Sequence, residues 1–373
     1  MDLFSYYRQF DDVDEEERNK ERRERRANER KLALQQVPDL DLSGTEWPDL
    51  PHSEIVNAAI ARARGRVNGY PDRYAGKVRR LLADRHDVAP EQVVLGNGAA
   101  ELLQAAALTL LSAGDEIVMP WPSYPLYPLM ATRARAKPVS VTADDKPHHG
   151  PALAGAVTDR TRALVICNPN DPTGHYLPAA ELGPLLAVLP PRVYVLLDEA
   201  LVHFQDVEEA DACLQLVKAF PRLLVVRTFS KAYGLSGLRA GYAVGTDADL
   251  LGTIAPVLGV NALTQAAVEY ALQGGDAELA RRREAVIRER ARLFEALREL
   301  PVDADPSQAN VVWLRARGMD GGELTARLLR QGVIVAPGGP LGADDHVRIT
   351  IRDTPATDRL LRALENALNG DDR

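Results

Sequence analysis

Lys231 has the most distinctive chemical setting in the chain, within Arg227-Thr228-Phe229-Ser230-Lys231-Ala232-Tyr233-Gly234. It follows an apolar run and has small and apolar neighbours. Lost hydration lowers a lysine's pKa, and a neutral amine can form a Schiff base with an aldehyde. Eight residues on, Arg239 can hold a phosphate bidentately, with the Thr228 and Ser230 hydroxyls as further donors. Asp198 closes the run Val195-Leu196-Leu197-Asp198. A carboxylate at the end of a buried strand is costly unless a cation or strong donor meets it. In Gly96-Asn97-Gly98-Ala99-Ala100-Glu101 small residues open a helix, where backbone N–H groups and the helix dipole favour an anion. The same pattern also makes a tight turn, and it is neither a Walker loop nor the three-glycine dinucleotide fingerprint. Cys167-Asn168-Pro169-Asn170-Asp171-Pro172-Thr173-Gly174 reads either as a rigid loop aiming short polar groups or as a structural turn.

The elements that must position these groups are short apolar runs separated by helix-length stretches. The runs are Gln92–Gly96, Glu116–Pro120, Pro138–Val141, Ala163–Cys167, Tyr194–Asp198, Leu223–Thr228 and Gly241–Val244. Several are almost continuously apolar, as strands buried on both faces are. This predicts an α/β fold with a largely parallel sheet between helices, whose ligands bind beyond the carboxyl ends of the strands. An amphipathic helix is expected over Asp276–Leu300, then strands near Asn310–Leu314, Val333–Val335 and Val347–Ile351 around a helix over Gly322–Gln331. These belong to a smaller α+β unit. Residues Asp14 to Gln36 are acidic first and arginine-rich later, which complements a helix dipole and predicts an exposed helical arm.

Composition narrows the class. The chain has 373 residues, 46% hydrophobic and 26% charged, which fits a globular protein of about two domains. Its net charge of −8 argues against a dedicated nucleic-acid binder. Two cysteines, Cys167 and Cys213, cannot form a disulfide framework and suit a reducing cytoplasm. No apolar signal core follows Met1, and no run is long enough for a membrane helix. Of the 45 basic side chains only seven are lysines. Lys20, Lys31, Lys77, Lys137, Lys146 and Lys218 stand in mixed or polar stretches, and Lys231 alone follows a buried strand beside candidate phosphate donors.

Taken in order, these four motifs resemble those of the fold-type-I pyridoxal-phosphate-dependent aminotransferases, class I/II. The resemblance spans roughly residues 40–360 and is specifically to the histidinol-phosphate aminotransferase-like branch. It implies that Lys231 carries the cofactor as a Schiff base and moves the substrate proton, and that Asp198 pairs with the protonated pyridine nitrogen. It implies a phosphate site at Gly98, Ala99 and Ala100 with Thr228, Ser230 and Arg239. Tyr124 matches the aromatic stacked on the ring, and Arg348 the arginine that clamps the substrate carboxylate or other anionic end. Tyr70, in Asn68-Gly69-Tyr70-Pro71, matches a tyrosine that reaches the phosphate of the neighbouring subunit, which implies a homodimer.

Departures from the pattern are informative. An asparagine and a tyrosine usually donate to the phenolic oxygen of the cofactor; here those positions are Asp171 and Leu201. An ionised carboxylate cannot donate, so Asp171 is expected to accept from the cofactor hydroxyl. His203 is a nearby candidate donor. In Ser43-Gly44-Thr45-Glu46-Trp47-Pro48, Glu46 and Pro48 fit the branch's substrate-entrance stretch, whereas Thr45 and Trp47 do not.

The expected protein is therefore an α/β fold-type-I enzyme with a mostly parallel seven-stranded sheet. A charged arm is expected over residues 1–40, a large cofactor domain over 61–260, and a small domain from 41–60 with 261–373. Its expected reaction is amino transfer between an amino acid or amino-alcohol phosphate and a 2-oxo acid. The alternative is a decarboxylase, cyclase or oxidase of the same fold in a biosynthetic pathway. An effector half of a transcription regulator would need a helix-turn-helix domain longer than this 40-residue, mixed-sign arm.

Overall fold

The central strands bury both faces, so their sequences alternate between two cores rather than between core and solvent. The structure is a computed structural model that describes residues 19–20, 22–27, 38–66, 68–142 and 150–370. The helix expected over Asp14–Gln36 lies mostly outside the described residues; within it, residues 19–20 and 22–27 are helical and exposed.

After β1 (Leu40–Asp41) come β2 (Val93–Gly96), β3 (Glu116–Pro120), β4 (Lys137–Val141), β5 (Thr161–Cys167), β6 (Tyr194–Asp198), β7 (Leu223–Thr228) and β8 (Gly241–Val244). Strands β2 to β8 form one seven-stranded sheet in the order β2-β8-β7-β6-β5-β3-β4. Strand β8 is antiparallel to both neighbours, and the other pairs are parallel. This is the mostly parallel sheet expected from the apolar runs.

Leu164, Ile166, Leu197 and Val225 pack on one face, with Leu82, Leu182 and Val268 from helices Gly76–His86, Ala179–Val188 and Ala262–Gly274. Val165, Leu196, Leu224 and Val226 pack on the other, with Leu102, Met130 and Leu251 from helices Ala99–Leu110, Leu126–Arg133 and Ala248–Ile254. Each such side chain stabilises the fold by roughly 1.5–3 kcal/mol relative to exposure.

The remaining strands are β9 (Val302–Ala304), β10 (Val311–Ala316), β11 (Val333–Ile334), β12 (Ala336–Pro337) and β13 (His346–Thr350). An antiparallel sheet has the order β12-β13-β10-β9, while β1 pairs parallel with β11. Leu293, Leu297, Leu314, Ile349, Leu360 and Leu364 form the core between this sheet and helices Asp276–Leu297 and Thr354–Asn369. The Asp353 carboxylate caps the latter, accepting from the Ala356 amide at 2.8 Å. The long helix stops at Leu297 rather than Leu300; Pro301 lacks the N–H that would bond the Leu297 carbonyl.

This topology gathers chemistry at one edge. Strands β2, β3, β5, β6 and β7 all end there, just before Gly98, Tyr124, Asp171, at Asp198, and just before Lys231. Because β8 is antiparallel, it starts at the same edge, immediately after Arg239.

Candidate active site

Asp198 is the last residue of β6 and is buried. The Tyr127 hydroxyl donates to one carboxylate oxygen at 2.9 Å, and the Ala200 amide to the other at 3.1 Å. Burial outweighs these donors and pushes the carboxyl up to about 6. The next residue, Glu199, pairs with Arg227, whose Nε donates to it at 2.7 Å; Arg227 also reaches the Asp211 carboxylate and the Ala210 carbonyl. This fully buried pair ties the end of β6 to β7.

Lys231 lies in the turn after β7, and its Nζ donates to the Thr45 hydroxyl. Burial lowers its pKa; the charges of Asp171 and Glu46 oppose that shift, and Arg348 adds to it. The amine is thus easier to deprotonate than an exposed one, while carboxylates keep its charge from being prohibitive.

The start of helix Ala99–Leu110 carries no side-chain cap, so the first amides point to the pocket without a protein partner from a capping side chain. Gly98 has φ 95°, and a Cβ there would collide with Nη2 of Arg239. A Cβ on Gly241 would collide with the Ala99 amide nitrogen. Two glycines therefore let the guanidinium and the edge of β8 press against the helix start. Arg239 Nη1 donates to the Ser230 hydroxyl at 3.3 Å and the Ser236 carbonyl at 3.0 Å. Thr228 Oγ1 accepts from the Ser230 amide at 3.0 Å.

The loop after β5 is rigid for reasons its sequence suggested only in outline. Asn168 exchanges two hydrogen bonds with the Leu177 backbone at 2.9 and 2.7 Å. Asn170 accepts from Ser123 at 2.6 Å and donates to the Pro122 carbonyl and Thr173 hydroxyl at 3.0 and 2.8 Å. Both asparagines serve the loop, which leaves Asp171 to face the pocket. Arg348 Nη1 donates to both Asp171 oxygens, at 2.8 and 3.0 Å, and Nη2 donates to the Ser43 carbonyl.

Ala99, Ala100, Tyr124, Asp171, Asp198, Thr228, Ser230, Lys231 and Arg239, proposed from six separate segments, line one cavity of about 250 Å³. Glu46, Leu103, Cys167, Ala200, Leu201 and Ser236 complete its wall. Gly98 caps the lining helix, and Arg348 stands behind Asp171 rather than on the wall. Tyr70 is not part of this cavity and is 88% exposed. His203 is not on the wall either: it is half-buried, packs edge-on against Tyr233 at 5.4 Å, and desolvation pushes its pKa down to about 3. Leu201 joins Phe204, Ala232 and Val311 in an apolar cluster against which Trp47 packs, so two of the departures are neighbours. Tyr127 was missed by sequence reasoning. Its signal was weak: an aromatic three residues after Tyr124, on the buried face of helix Leu126–Arg133. Among the described residues no cluster of side chains suits a metal ion, and no helix is long and apolar enough to cross a membrane.

The family model for class I and II aminotransferases matches residues 38–364. The chain is 38% identical to an aromatic amino acid aminotransferase of Corynebacterium efficiens over 338 residues, 89% of this chain and 94% of that one. It is 40% identical to the corresponding protein of Mycobacteroides abscessus, covering 82% and 87% of the two chains. In fold it resembles histidinol-phosphate aminotransferase from Sinorhizobium meliloti in complex with pyridoxal 5'-phosphate, with TM-score 0.79, 24% identity, and 91% and 93% of the chains covered. Fold and family together define an α/β fold-type-I pyridoxal-phosphate-dependent transferase. The chain belongs to the class I and II aminotransferase family, and its activity is amino transfer.

The donor set suits the cofactor that this family implies. The uncapped helix start beside Arg239, cleared by Gly98 and Gly241, is a cradle for a phosphate. Among the described residues the buried Asp198 has no cationic hydrogen-bond partner, which suits a carboxylate that pairs with a protonated ring nitrogen.

Proposed function

We propose that this aminotransferase holds pyridoxal 5'-phosphate in the cavity around Lys231 and exchanges an amino group between an amine-bearing substrate and a 2-oxo acid. The observation that carries this reading is one half-buried lysine beside one buried, cation-seeking aspartate at the carboxyl edge of the sheet. Lys231 is the amine that would hold the cofactor through its aldehyde and, once the substrate amine takes its place there, would as a free amine take the proton from the amine-bearing carbon of the substrate. Asp198 holds the charge on the ring nitrogen, and Tyr127 orients Asp198. The Gly98–Ala100 amides, Thr228, Ser230 and Arg239 bind the phosphate, and Tyr124 covers the ring. Asp171 accepts from the ring hydroxyl, and Arg348 serves the substrate's anionic or polar end. When bound, the cofactor supplies an electron-withdrawing ring that makes that carbon's proton removable.

For the donor, the names of the relatives support an aromatic amino acid. A second reading, the histidinol-phosphate-like branch and its amino-alcohol phosphates, is favoured by Glu46, the entrance residue that matches that branch and lines the cavity. A panel of aromatic amino acids and amino-alcohol phosphates tests both. Formation of pyridoxamine 5'-phosphate and the matching carbonyl product identifies the donor; released carbon dioxide or peroxide without that form counts against amino transfer.

Of the proposed division into residues 61–260 and 41–60 with 261–373, the confinement of the large sheet to 93–244 and the pairing of β1 with β11 support the two units but not their boundaries: Ile55 and Ala59 of helix Ser53–Arg66 and Val268 and Ala271 of helix Ala262–Gly274 pack in the core of the large sheet, which moves both helices to the large domain. A homodimer with Tyr70 reaching the neighbouring site is supported by an exposed apolar patch. Tyr70, Tyr74, Val257 and Leu258 are exposed, and Gly259 packs on the Arg73 backbone, which brings the two loops together. The two unpaired, buried thiols support a cytoplasmic location.

A further inference from the structure

Arg348 is a buried guanidinium whose charge acts on Lys231, yet its partner comes from the chain itself. Nη1 is taken by Asp171 at 2.8 Å, Nη2 reaches the Ser43 carbonyl, and the buried Nε has no partner among the described residues. Around Lys231 the wall carries three carboxylates, Glu46, Asp171 and Asp198, against the cations Lys231 and Arg239. A site built for a substrate carboxylate would be expected to leave its arginine waiting for one.

We propose that Asp171 is a specificity-determining residue that competes with substrate carboxylates for Arg348, so that the site favours aromatic amines and amino alcohols whose amine-bearing carbon carries no carboxylate. The inference rests on the reading above that Arg348 serves the substrate. A carboxylate arriving at Arg348 meets the Asp171 carboxylate at the same guanidinium. Either the two anions share it and repel each other, or Asp171 is left buried without its partner; both are costly. An asparagine at this position would carry no charge and would leave the guanidinium to the substrate. A hydroxyl needs no counter-charge: it can accept from Arg348 and leave the Asp171 pair intact. The 2-oxo acid meets the same competition and binds weakly.

The test is calorimetric binding of 3-phenylpropanoate and 3-phenylpropan-1-ol to the holoenzyme, in wild type, Asp171→Asn and Asp171→Asn/Arg348→Gln. The expected wild type binds the alcohol at least as tightly as the carboxylate. Asp171→Asn is expected to bind the carboxylate about tenfold or more tighter, with the alcohol changed less than about twofold. The proposal is overturned if wild type prefers the carboxylate by about tenfold or more, a comparison that stands even if the variant does not fold. It is also overturned if Asp171→Asn gains nothing while the double variant loses carboxylate binding; the role of Arg348 then survives without the competition. Carboxylate binding that persists in the double variant would instead remove Arg348 from the substrate site, and the proposal with it.

Discussion

The Tyr127 hydroxyl donates to the Asp198 carboxylate at 2.9 Å, from the first turn of one helix to the last residue of a central strand. The pair is buried, and this hydrogen bond, with that from the Ala200 amide to the other oxygen, is what the described residues offer Asp198. A carboxyl held at about 6 against an ordinary 3.8 binds its proton more tightly in the folded chain than in the unfolded one. Its contribution to stability is therefore present below about pH 4 and is lost as pH rises through about 6.

In the cofactor-free protein that loss is about 3 kcal/mol, from about 1.36 kcal/mol per pKa unit. Asp198→Asn removes the titration. Urea unfolding between pH 4 and 7 is expected to show wild type losing stability relative to the variant across this window. Parallel pH profiles for the two proteins would mean that Asp198 does not titrate as its burial requires.

Gly98→Ala places a Cβ against Arg239 at a backbone angle that favours glycine. The guanidinium must move off the helix start, so pyridoxal phosphate should bind about tenfold more weakly, about 1.4 kcal/mol. Equilibrium dialysis with pyridoxal lacking the phosphate is the control, since its affinity should be little changed. Equal losses for both ligands would place the phosphate elsewhere.

Arg227 and Glu199 form a buried ion pair beneath the site. Arg227→Met leaves the Glu199 charge without its partner and should cost roughly 3–5 kcal/mol by chemical denaturation. Arg227→Met/Glu199→Met is expected to recover much of that loss. If the double variant is no more stable than the single one, the effect is lost packing rather than an unpaired charge.

Leu258 is 64% exposed on the patch that includes Tyr70. If the proposed homodimer forms through this patch, Leu258→Asp should convert it into monomers in sedimentation experiments and lower cofactor affinity by withdrawing Tyr70 from the neighbouring site. A wild type that sediments as a monomer would contradict the assembly.

The strands that bring the proposed site residues together were legible in the sequence because they are apolar runs. Tyr194–Asp198 and Leu223–Thr228 form the strands expected of them, since burial on both faces keeps charged residues out until Asp198 in one and the paired Arg227 in the other. Strands β9 and β12 were not legible: they have three and two residues, and Pro337 sits on an edge where no ladder donor is needed. Least legible were pairings between distant segments. Arg348 and Asp171 lie 177 residues apart, and Lys231 and Thr45 are 186 apart. Local pattern marks each residue as polar in an apolar setting; only the assembled fold shows which opposite charge or hydroxyl answers it.

Lys231 as the residue that bears the cofactor is the claim on which the rest depends. Borohydride reduction of the holoenzyme, followed by mass spectrometry of its peptides, reads this directly. The account predicts a phosphopyridoxyl group on Lys231, absent from Lys231→Ala along with the yellow absorbance of the holoenzyme. The modification on Lys77, Lys137 or Lys218 instead, or an unshifted absorbance retained in Lys231→Ala, would contradict it.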